Sequence, residues 1–271
     1  MRTGMKKGWL LVCLIACLQA NAQVVLPLGD TVNHRKTSKR APEPFMTRQI
    51  KHISEFIDRF NKAALLTDGR EMALLALFDE DDKRLAQKGR ASHPYTNQVN
   101  AFIRASDTGT FKISKRGIAH AVIGILMAYK DLQDTLIVHL KKDYTADSAA
   151  FWHVVKVDKL KTLAKEKVET RQVADARSEV ALPPNSNEVS FLPFLRGLHD
   201  YQSLVPFTHC RDCLDDAWWQ VENALRDGGL IPQAVVFNRI FLKAANWEIE
   251  LGEFIREKEN SGWLISNITE N

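Results

Sequence analysis

The chain lacks the short motifs that identify many enzyme classes from sequence. It has no glycine-rich phosphate loop, no His-Glu-x-x-His metal motif and no Gly-x-Ser-x-Gly nucleophile motif. It also has no low-complexity tract, and a composition of 45% hydrophobic and 26% charged residues is typical of a globular protein. The sequence therefore contains no complete catalytic signature, and we predict no cofactor and no metal site.

A strong charge of one sign is also missing. The chain has 37 Lys and Arg against 33 Asp and Glu. Residues 1–22 hold three of the basic residues and none of the acidic ones, so the remainder carries 34 against 33, a net charge of +1. A charge this small gives no reason to expect a nucleic-acid partner.

The longest apolar run at the N-terminus, Trp9 to Leu18, is shorter than the roughly 20 residues that a transmembrane helix needs. Basic residues precede this run, and Ala20-Asn21-Ala22 matches the small-x-small site at which signal peptidase cuts. The basic residues are Arg2, Lys6 and Lys7. This pattern predicts a signal peptide over residues 1–22 and an exported chain, periplasmic or at the cell surface, with no transmembrane span after processing.

A second interpretation of the same segment is a lipoprotein. Leu14-Ile15-Ala16-Cys17 fits the pattern in which a lipid is attached to a cysteine that becomes the new N-terminus. The chain would then be anchored to a membrane surface through Cys17. The short apolar run before Cys17 and the Ala-Asn-Ala site after it favour the signal peptide.

Residues 23–46 have no helical periodicity and concentrate the remaining basic character near two prolines. Four cations lie there: Arg35, Lys36, Lys39 and Arg40. We predict a flexible basic arm, either a solvated spacer or a segment that binds a membrane surface or a partner.

An internal repeat relates the two halves of the chain. Placing Thr135–Val157 over Asn246–Ile268 needs no gap, and aligns Trp152 with Trp263. Each block reads as an alternating apolar run, a polar connection and a second run opened by tryptophan, which predicts an antiparallel β-hairpin.

Helical patterns precede the strands in both halves. The stripe Ile50, Ile53, Phe56, Ile57 and Phe60 has the 3–4 spacing of an amphipathic helix. The sequence thus predicts a first α+β domain over residues 47–158, a connecting helix and linker over 159–185, and a second α+β domain over 186–271.

This order, with a leading amphipathic helix followed by Asn61 and a final Trp-opened strand, resembles the nuclear transport factor 2-like superfamily. The ending Asn260-Ser261-Gly262-Trp263-Leu264-Ile265-Ser266-Asn267-Ile268 is similar to exported Bacteroidetes proteins of that shape. The resemblance implies two tandem halves, each with N-terminal helices packed on a curved antiparallel sheet. It also implies a cone-shaped cavity that some members use for dehydratase, isomerase or cyclase chemistry and others only for binding.

Two cysteines remain after processing, in His209-Cys210-Arg211-Asp212-Cys213. In an oxidising compartment they are expected to form a structural disulfide. A redox-active pair is the alternative, since a helix after Leu214 would stabilise a Cys210 thiolate. Metal binding by His209, Cys210 and Cys213 lacks an identified fourth ligand, and unpaired thiols remain open.

Three histidines, His120, His139 and His153, lie on predicted strands of the first half. If two of them share a cavity face with Asp143 or Tyr129, they form an acid–base pair suited to a lyase or isomerase. The alternation of Leu136, Val138 and Leu140 against His139 predicts that His139 points away from the apolar face.

The function that follows is binding or scaffolding at the bacterial cell envelope, without catalysis and with an unknown protein or small-molecule ligand. A small-molecule lyase or isomerase, and a thiol–disulfide protein using Cys210 and Cys213, are the alternatives.

Overall fold

Helices and strands follow one another in two runs along the chain. The structure, a computed structural model, describes residues 49–85, 94–106, 111–163, 180–208, 214–257 and 260–271. The helices in these ranges are α1 (Ile53–Ala64), α2 (Arg70–Leu75), α3 (Pro94–Ala105), α4 (Leu192–Tyr201) and α5 (Asp216–Arg226). The strands are β1 (Ile113–Tyr129), β2 (Leu132–Tyr144), β3 (Ala150–Val157), β4 (Leu230–Ala244), β5 (Trp247–Phe254) and β6 (Gly262–Glu270). The protein is therefore a mixed α+β protein with helices before strands in each half.

Several predicted features lie outside the described residues. They are the signal peptide, Cys17, the basic arm, Cys210, Cys213 and residues 164–179 of the predicted connecting helix. The described start of that connection contains a 3₁₀ helix at Lys161–Leu163, with Leu160 and Leu163 buried. Export, lipidation and the basic arm stay predictions.

The first helix follows the predicted apolar stripe. Ile53, Phe56, Ile57 and Phe60 are all buried, and they place one face of α1 in the core. The helix begins at Ile53 because Ile50, also buried, forms an isolated parallel β-bridge with Gly262 instead. The pattern therefore predicts the buried face correctly, whereas a long-range backbone contact sets where the helix begins.

The described strands form one antiparallel sheet of six, in the order β3-β2-β1-β4-β5-β6. The two longest, β1 and β4, pair with each other and join the halves. Each half contributes three strands to this sheet, and residues 42–271 belong to one compact unit. The boundary predicted between two domains therefore coincides with no break in the sheet.

The internal repeat is visible in the strand register. Leu140 pairs with Val154, and their equivalents Leu251 and Ile265 pair with each other. A register shift occurs at His139/Leu140 in the first hairpin and at the aligned Glu250/Leu251 in the second. The repeat therefore encodes two hairpins with the same register and the same irregularity.

Helices of each half contact a strand of the other half in addition to strands of their own. Helices α1 and α3 contact β6, which belongs to the other half, and α5 contacts β3. The outer edge of β6 is bridged by Ile50 and Phe78, while the outer edge of β3 is bridged by Leu182 and Thr208. The edge strand β6 is thus covered by segments of the first half, and β3 by the connecting segment and the second half, which protects the edges of the sheet.

The helices cover one face of the sheet and form the core with it. Four tryptophans are almost completely buried there: Trp152, Trp218, Trp247 and Trp263. Trp219 is only half-buried, as expected for the neighbour of a core-facing residue on a helix. None of the described helices has the length and apolar character that crossing a membrane requires.

Candidate functional site

The second face of the sheet, which we call the open face, is partly exposed and carries most of the candidate site residues. Successive residues of a strand point to opposite faces. In β1, Ala121, Ile123 and Ile125 are fully buried, whereas the alternating residues His120 and Val122 are half-buried on the open face. Polar and aromatic side chains therefore lie next to apolar ones on a surface that a ligand can reach.

His139 lies on the open face, as the alternation predicts, because Leu136, Val138 and Leu140 are fully buried on the other face. Its Nε2 lies 3.2 Å from Oδ1 of Asp158. The backbone N–H of Asp158 donates to the carbonyl of Ile137, which holds this carboxylate beside β2. Since the carboxylate can only accept a hydrogen bond, Nε2 carries the proton in neutral His139, and Nδ1 is the acceptor nitrogen.

Asp158 has a second partner, a lysine. Lys156 Nζ lies 2.9 Å from Oδ1 of Asp158. Burial acts to raise the pKa of Asp158, but the hydrogen bonds from Lys156 and His139 outweigh it and hold the pKa below the ordinary value of 3.8. Asp158 is therefore a carboxylate at neutral pH, and it orients His139.

His120 is the diagonal neighbour of His139, since His120 pairs with Lys141 and Val122 pairs with His139. Its ring stacks on Phe241, with centroids 4.2 Å apart and an interplanar angle of 10°. Burial lowers the pKa of His120 below its ordinary value of 6.5; Glu248 opposes this, while His139 and Lys243 add to it. His120 is thus neutral at pH 7.

His153 follows in the same cross-strand row, because it pairs with Lys141, which in turn pairs with His120. It is 7% exposed, and its Nε2 lies 3.6 Å from Oδ2 of Asp143. Lys141 Nζ also contacts Asp143, at 3.0 Å. The structure therefore brings all three candidate histidines onto adjacent strands, but it assigns Asp143 to His153 and Asp158 to His139.

The predicted partner Tyr129 lies far from this group. It is the last residue of β1 and pairs with Leu132 at the hairpin. The sequence did not point to Asp158, the carboxylate that contacts His139. Asp158 is the residue directly after β3, the strand that contains His153. No group of three or more potential metal ligands occurs among the described residues. Cys210 and Cys213 fall outside them, so the disulfide stays a prediction that mass spectrometry under non-reducing conditions would test.

A cleft opens where β4 and β5 separate. Their pairing ends at Arg239 and Gly252. Beyond this pair, β5 is paired only with β6. Register shifts against β1 leave Val236 and Gln233 as extra residues on β4. Such bulges bend a strand and increase its twist, which turns β4 away from β5 at this point.

The cleft has a volume of about 320 Å³ and is lined mainly by residues of β4 and β5. Its main side chains are Ser190, Phe237, Asn238, Arg239, Glu253 and Phe254. A Cβ at Gly124 would overlap the ring of Phe237, and one at Gly252 would lie 3.2 Å from the ring of Phe254. Both aromatic rings therefore lie against glycine backbone. A glycine inside a strand pattern is the sequence signal that marks such close approaches, and Gly124 and Gly252 are such glycines.

The polar groups of the cleft are mostly paired, with one exception. Arg239 Nη1 lies 3.1 Å from Oε1 of Glu250, and the Ser190 hydroxyl donates to Glu253 at 3.2 Å. The Asn238 side chain, 6% exposed, donates through Nδ2 to the carbonyl of Asn187 at 3.1 Å. Its Oδ1 is buried and has no hydrogen-bond partner among the described residues.

Comparison of the chain with protein-family models, with curated proteins and with solved structures finds no match. The functional interpretation therefore depends on the geometry of the open face and of the cleft.

Proposed function

We propose that this chain is an exported binding protein of the bacterial cell envelope, without catalytic activity, whose ligand occupies the cleft between β4 and β5. The observation that supports this proposal is the cleft itself: a concave site of about 320 Å³ with aromatic walls and a small number of polar groups. This combination is typical of small-molecule sites, in which apolar contacts supply affinity and a few polar groups fix orientation.

The export part of the proposal is supported by the N-terminal pattern of basic residues, apolar run and Ala20-Asn21-Ala22. Expression in a bacterium should yield a processed chain that begins at Gln23 in the periplasmic or cell-surface fraction. N-terminal sequencing distinguishes this product from a lipoprotein that begins at Cys17. Recovery of the chain from the cytoplasm with Met1 still attached would contradict export.

We further propose that each half has a nuclear transport factor 2-like origin. The order of helices followed by three antiparallel strands in both halves supports this, as does the repeated hairpin register. An experimental structure in which both halves superpose on such a domain would support the assignment. Superposition of the whole six-stranded sheet on an unrelated architecture would contradict it.

The binding proposal is tested by NMR with the processed chain and a library of small molecules. We expect saturable shifts of amide signals at Val235–Arg239 and Gly252–Ile255, which line the cleft. The variant Phe237→Ala should lose these shifts because it removes one wall. Gln133→Ala, on the exposed part of β2, serves as the matched control and should keep them. Absence of any shift in the cleft would overturn the proposal.

One observation favours a second function, a small-molecule lyase or isomerase. Asp158 orients His139, and His120 beside it is neutral at pH 7, so the open face holds a base and a proton donor or acceptor within one site. The histidines do not line the cleft. The site would therefore act at the surface of the sheet, where water competes for its polar groups.

Proton exchange in D₂O separates the two functions. A lyase or isomerase should exchange the α-hydrogen of a small keto or hydroxy acid, and His139→Gln should abolish that exchange. A binding protein should leave these compounds unchanged whether or not His139 is present.

A further inference from the structure

We infer that the cleft between β4 and β5 takes an extended peptide segment of another protein, which adds as a strand to an unpaired backbone edge of β4. This inference rests on the proposed binding function and names the chemical class of its ligand. The backbone pairing of the sheet supports it, and the side-chain hydrogen bonds of the cleft have no part in it.

One side of β4 is paired over only part of its length. Toward β1, the pairing of β4 extends from Leu230 to Ala244. Toward β5, it covers only Arg239 to Ala244, and no described residue forms a backbone hydrogen bond with residues 231–238 on that side. A strand that is paired on one side presents a row of unpaired N–H and C=O groups on the other. We call residues 231–238 the free edge of β4.

Other edges of the sheet have partners among the described residues. At the outer edge of β3, the backbones of Trp152 and Leu182 exchange two hydrogen bonds, of 3.0 and 3.1 Å, and the backbone of Ile50 forms two more at the outer edge of β6. At the start of β1, the side-chain amide of Asn61 donates to the carbonyl of Ile113 at 2.9 Å and accepts from its N–H at 2.8 Å. The free edge of β4 has no such cover in the part of the chain that the structure describes, so it can accept a strand from outside.

The free edge is accessible, and part of it lies in the cleft. Ile231 is 52% and Val236 50% exposed. At the start of the edge, Pro232 lacks an N–H and Gln233 is an extra residue, and both features oppose strand addition there. The remaining part, Val235–Asn238, lines the cleft and spans about 13 Å, the length of about four extended residues. The peptide therefore lies in the cleft, along this part of β4.

A backbone edge selects a peptide over other ligands. Donors and acceptors recur along the edge at the spacing of an extended chain, so a second extended chain pairs with several of them at once. In this recurring mode of recognition, main-chain hydrogen bonds supply the affinity, and contacts with alternate side chains supply the specificity. The class of ligand thus follows from the backbone of β4.

The side chains beside the free edge indicate which peptide binds best. The stretch from Leu230 to Asn238 contains no charged residue. Phe237 on β4 and Phe254 on β5 both line the cleft. Aromatic residues pair favourably with β-branched ones across neighbouring strands. We therefore expect an uncharged peptide rich in valine, isoleucine or threonine.

The test is an NMR titration of the processed chain with heptapeptides that are acetylated and amidated at their ends. The probe alternates threonine and valine, and a glycine–serine peptide of the same length is its control. We expect the probe to shift the amide signals of Val235–Arg239 saturably and to slow hydrogen exchange at alternate amides of Val235–Asn238. The control peptide should do neither. If these amides are already protected without peptide, as in a dimer that pairs two copies of β4, the edge is occupied and the inference is wrong.

Two N-methylated versions of the threonine–valine peptide test whether its backbone pairs with β4. One carries methyl groups on its odd-numbered amides and the other on its even-numbered amides, so the side chains are the same in both. At least one version should bind about tenfold more weakly or worse, because its methyl groups replace the N–H donors that the β4 carbonyls accept. Unchanged affinity of both versions means that side chains alone hold the peptide, which overturns the inference.

Val236→Lys is the decisive variant, because a lysine is one of the means by which natural edge strands prevent pairing. Val155→Lys is the matched control: Val155 is also the extra residue at a register shift, on β3, and it is 42% exposed. We expect Val236→Lys to weaken binding of the threonine–valine peptide about tenfold or more and Val155→Lys to change it by less than about threefold. Both variants should melt close to the parent protein, because both side chains are exposed. Equal affinities of the two variants would contradict binding at β4.

The small-molecule library separates failure of this inference from failure of the binding function. A library compound that shifts the cleft signals, while the threonine–valine peptide does not, overturns the peptide and leaves the binding function standing. A cleft that responds neither to the peptide nor to any library compound overturns both.

Discussion

At the scale of single residues, Gly262 shows how one missing Cβ permits a long-range contact. It has a φ of +88° at the start of β6. The residues around it exchange backbone hydrogen bonds with Ile50: Ile50 N–H donates to Ser261 at 3.1 Å, and Trp263 N–H donates to Ile50 at 2.9 Å. A Cβ at Gly262 would overlap the Ile50 carbonyl. The segment before α1 can therefore lie against β6 only because residue 262 is glycine.

We predict that Gly262→Ala lowers the free energy of unfolding by about 3 kcal/mol, from the left-handed φ together with the steric overlap. The matched control is Gly228→Ala, where φ is +68° but nothing lies within 4 Å of the new Cβ. That control should cost about 1 kcal/mol, from conformation alone. Urea unfolding of both variants measures the difference, and equal losses would contradict a steric effect at Gly262.

The second prediction for a single residue concerns how His120 makes the stability of the protein depend on pH. Its pKa is lower in the folded protein than the ordinary 6.5, mainly because of burial, so the unfolded chain binds the proton more readily. The stability of the folded protein is therefore unaffected by this group above about pH 6.5 and falls as the pH drops below that value. We expect His120→Gln to lose less stability than the parent protein between neutral pH and pH 5. Parallel urea titrations check this; identical pH dependence in the two proteins would contradict it.

At the scale of elements, two acidic side chains position helix α5: Asp215 at its N-terminus and Glu222 in its middle. Asp215 is its N-cap and accepts from the Trp218 N–H at 2.9 Å. In the middle of α5, Glu222 is 1% exposed and accepts hydrogen bonds from the Ser203 hydroxyl and the Leu204 N–H, both at 2.7 Å, and from Arg226. Glu222 thus ties the turn after α4 to α5.

Glu222→Ala should lower the free energy of unfolding by about 3 kcal/mol, because it leaves buried donors and a partly buried Arg226 without their acceptor. Glu55→Ala is the matched control, since Glu55 and Arg59 form the same i,i+4 pair on α1 but the Glu55 side chain is 37% exposed, against 1% for Glu222. We expect the control to cost about 0.5 kcal/mol. Chemical denaturation measures both values, and similar losses would show that burial of Glu222 adds nothing.

At the scale of the whole molecule, the two halves are joined by a shared sheet and by helices that also pack on a strand of the opposite half. Helices α1 and α3 pack on β6, and α5 packs on β3. Each half on its own would expose the apolar faces that the other half covers, including Trp152 on β3 and Trp263 on β6.

We therefore predict that fragments 47–158 and 186–271 do not fold when expressed separately and that they associate when mixed. Circular dichroism and the dispersion of NMR signals report folding, and size-exclusion chromatography reports association. A cooperative thermal transition of either fragment alone would contradict this prediction and would support two independent domains.

The sequence by itself determined the local features, because they depend on neighbouring residues. The 3–4 spacing of Ile53, Phe56, Ile57 and Phe60 fixed the buried face of α1, and the alternation around His139 fixed which way that side chain points. The gapless repeat determined that the two hairpins share one register.

Only the tertiary structure decided how these elements combine. The pairing of β1 with β4 joins residues more than a hundred positions apart, and no local periodicity encodes which distant strand pairs with which. The contact of Asp158 with His139 depends on the β2–β3 register, and the cleft depends on bulges that arise only when β4 pairs with β1. The candidate histidines could be named from the sequence, whereas the cleft and its unpaired Asn238 could not, because non-local hydrogen bonding between strands created them.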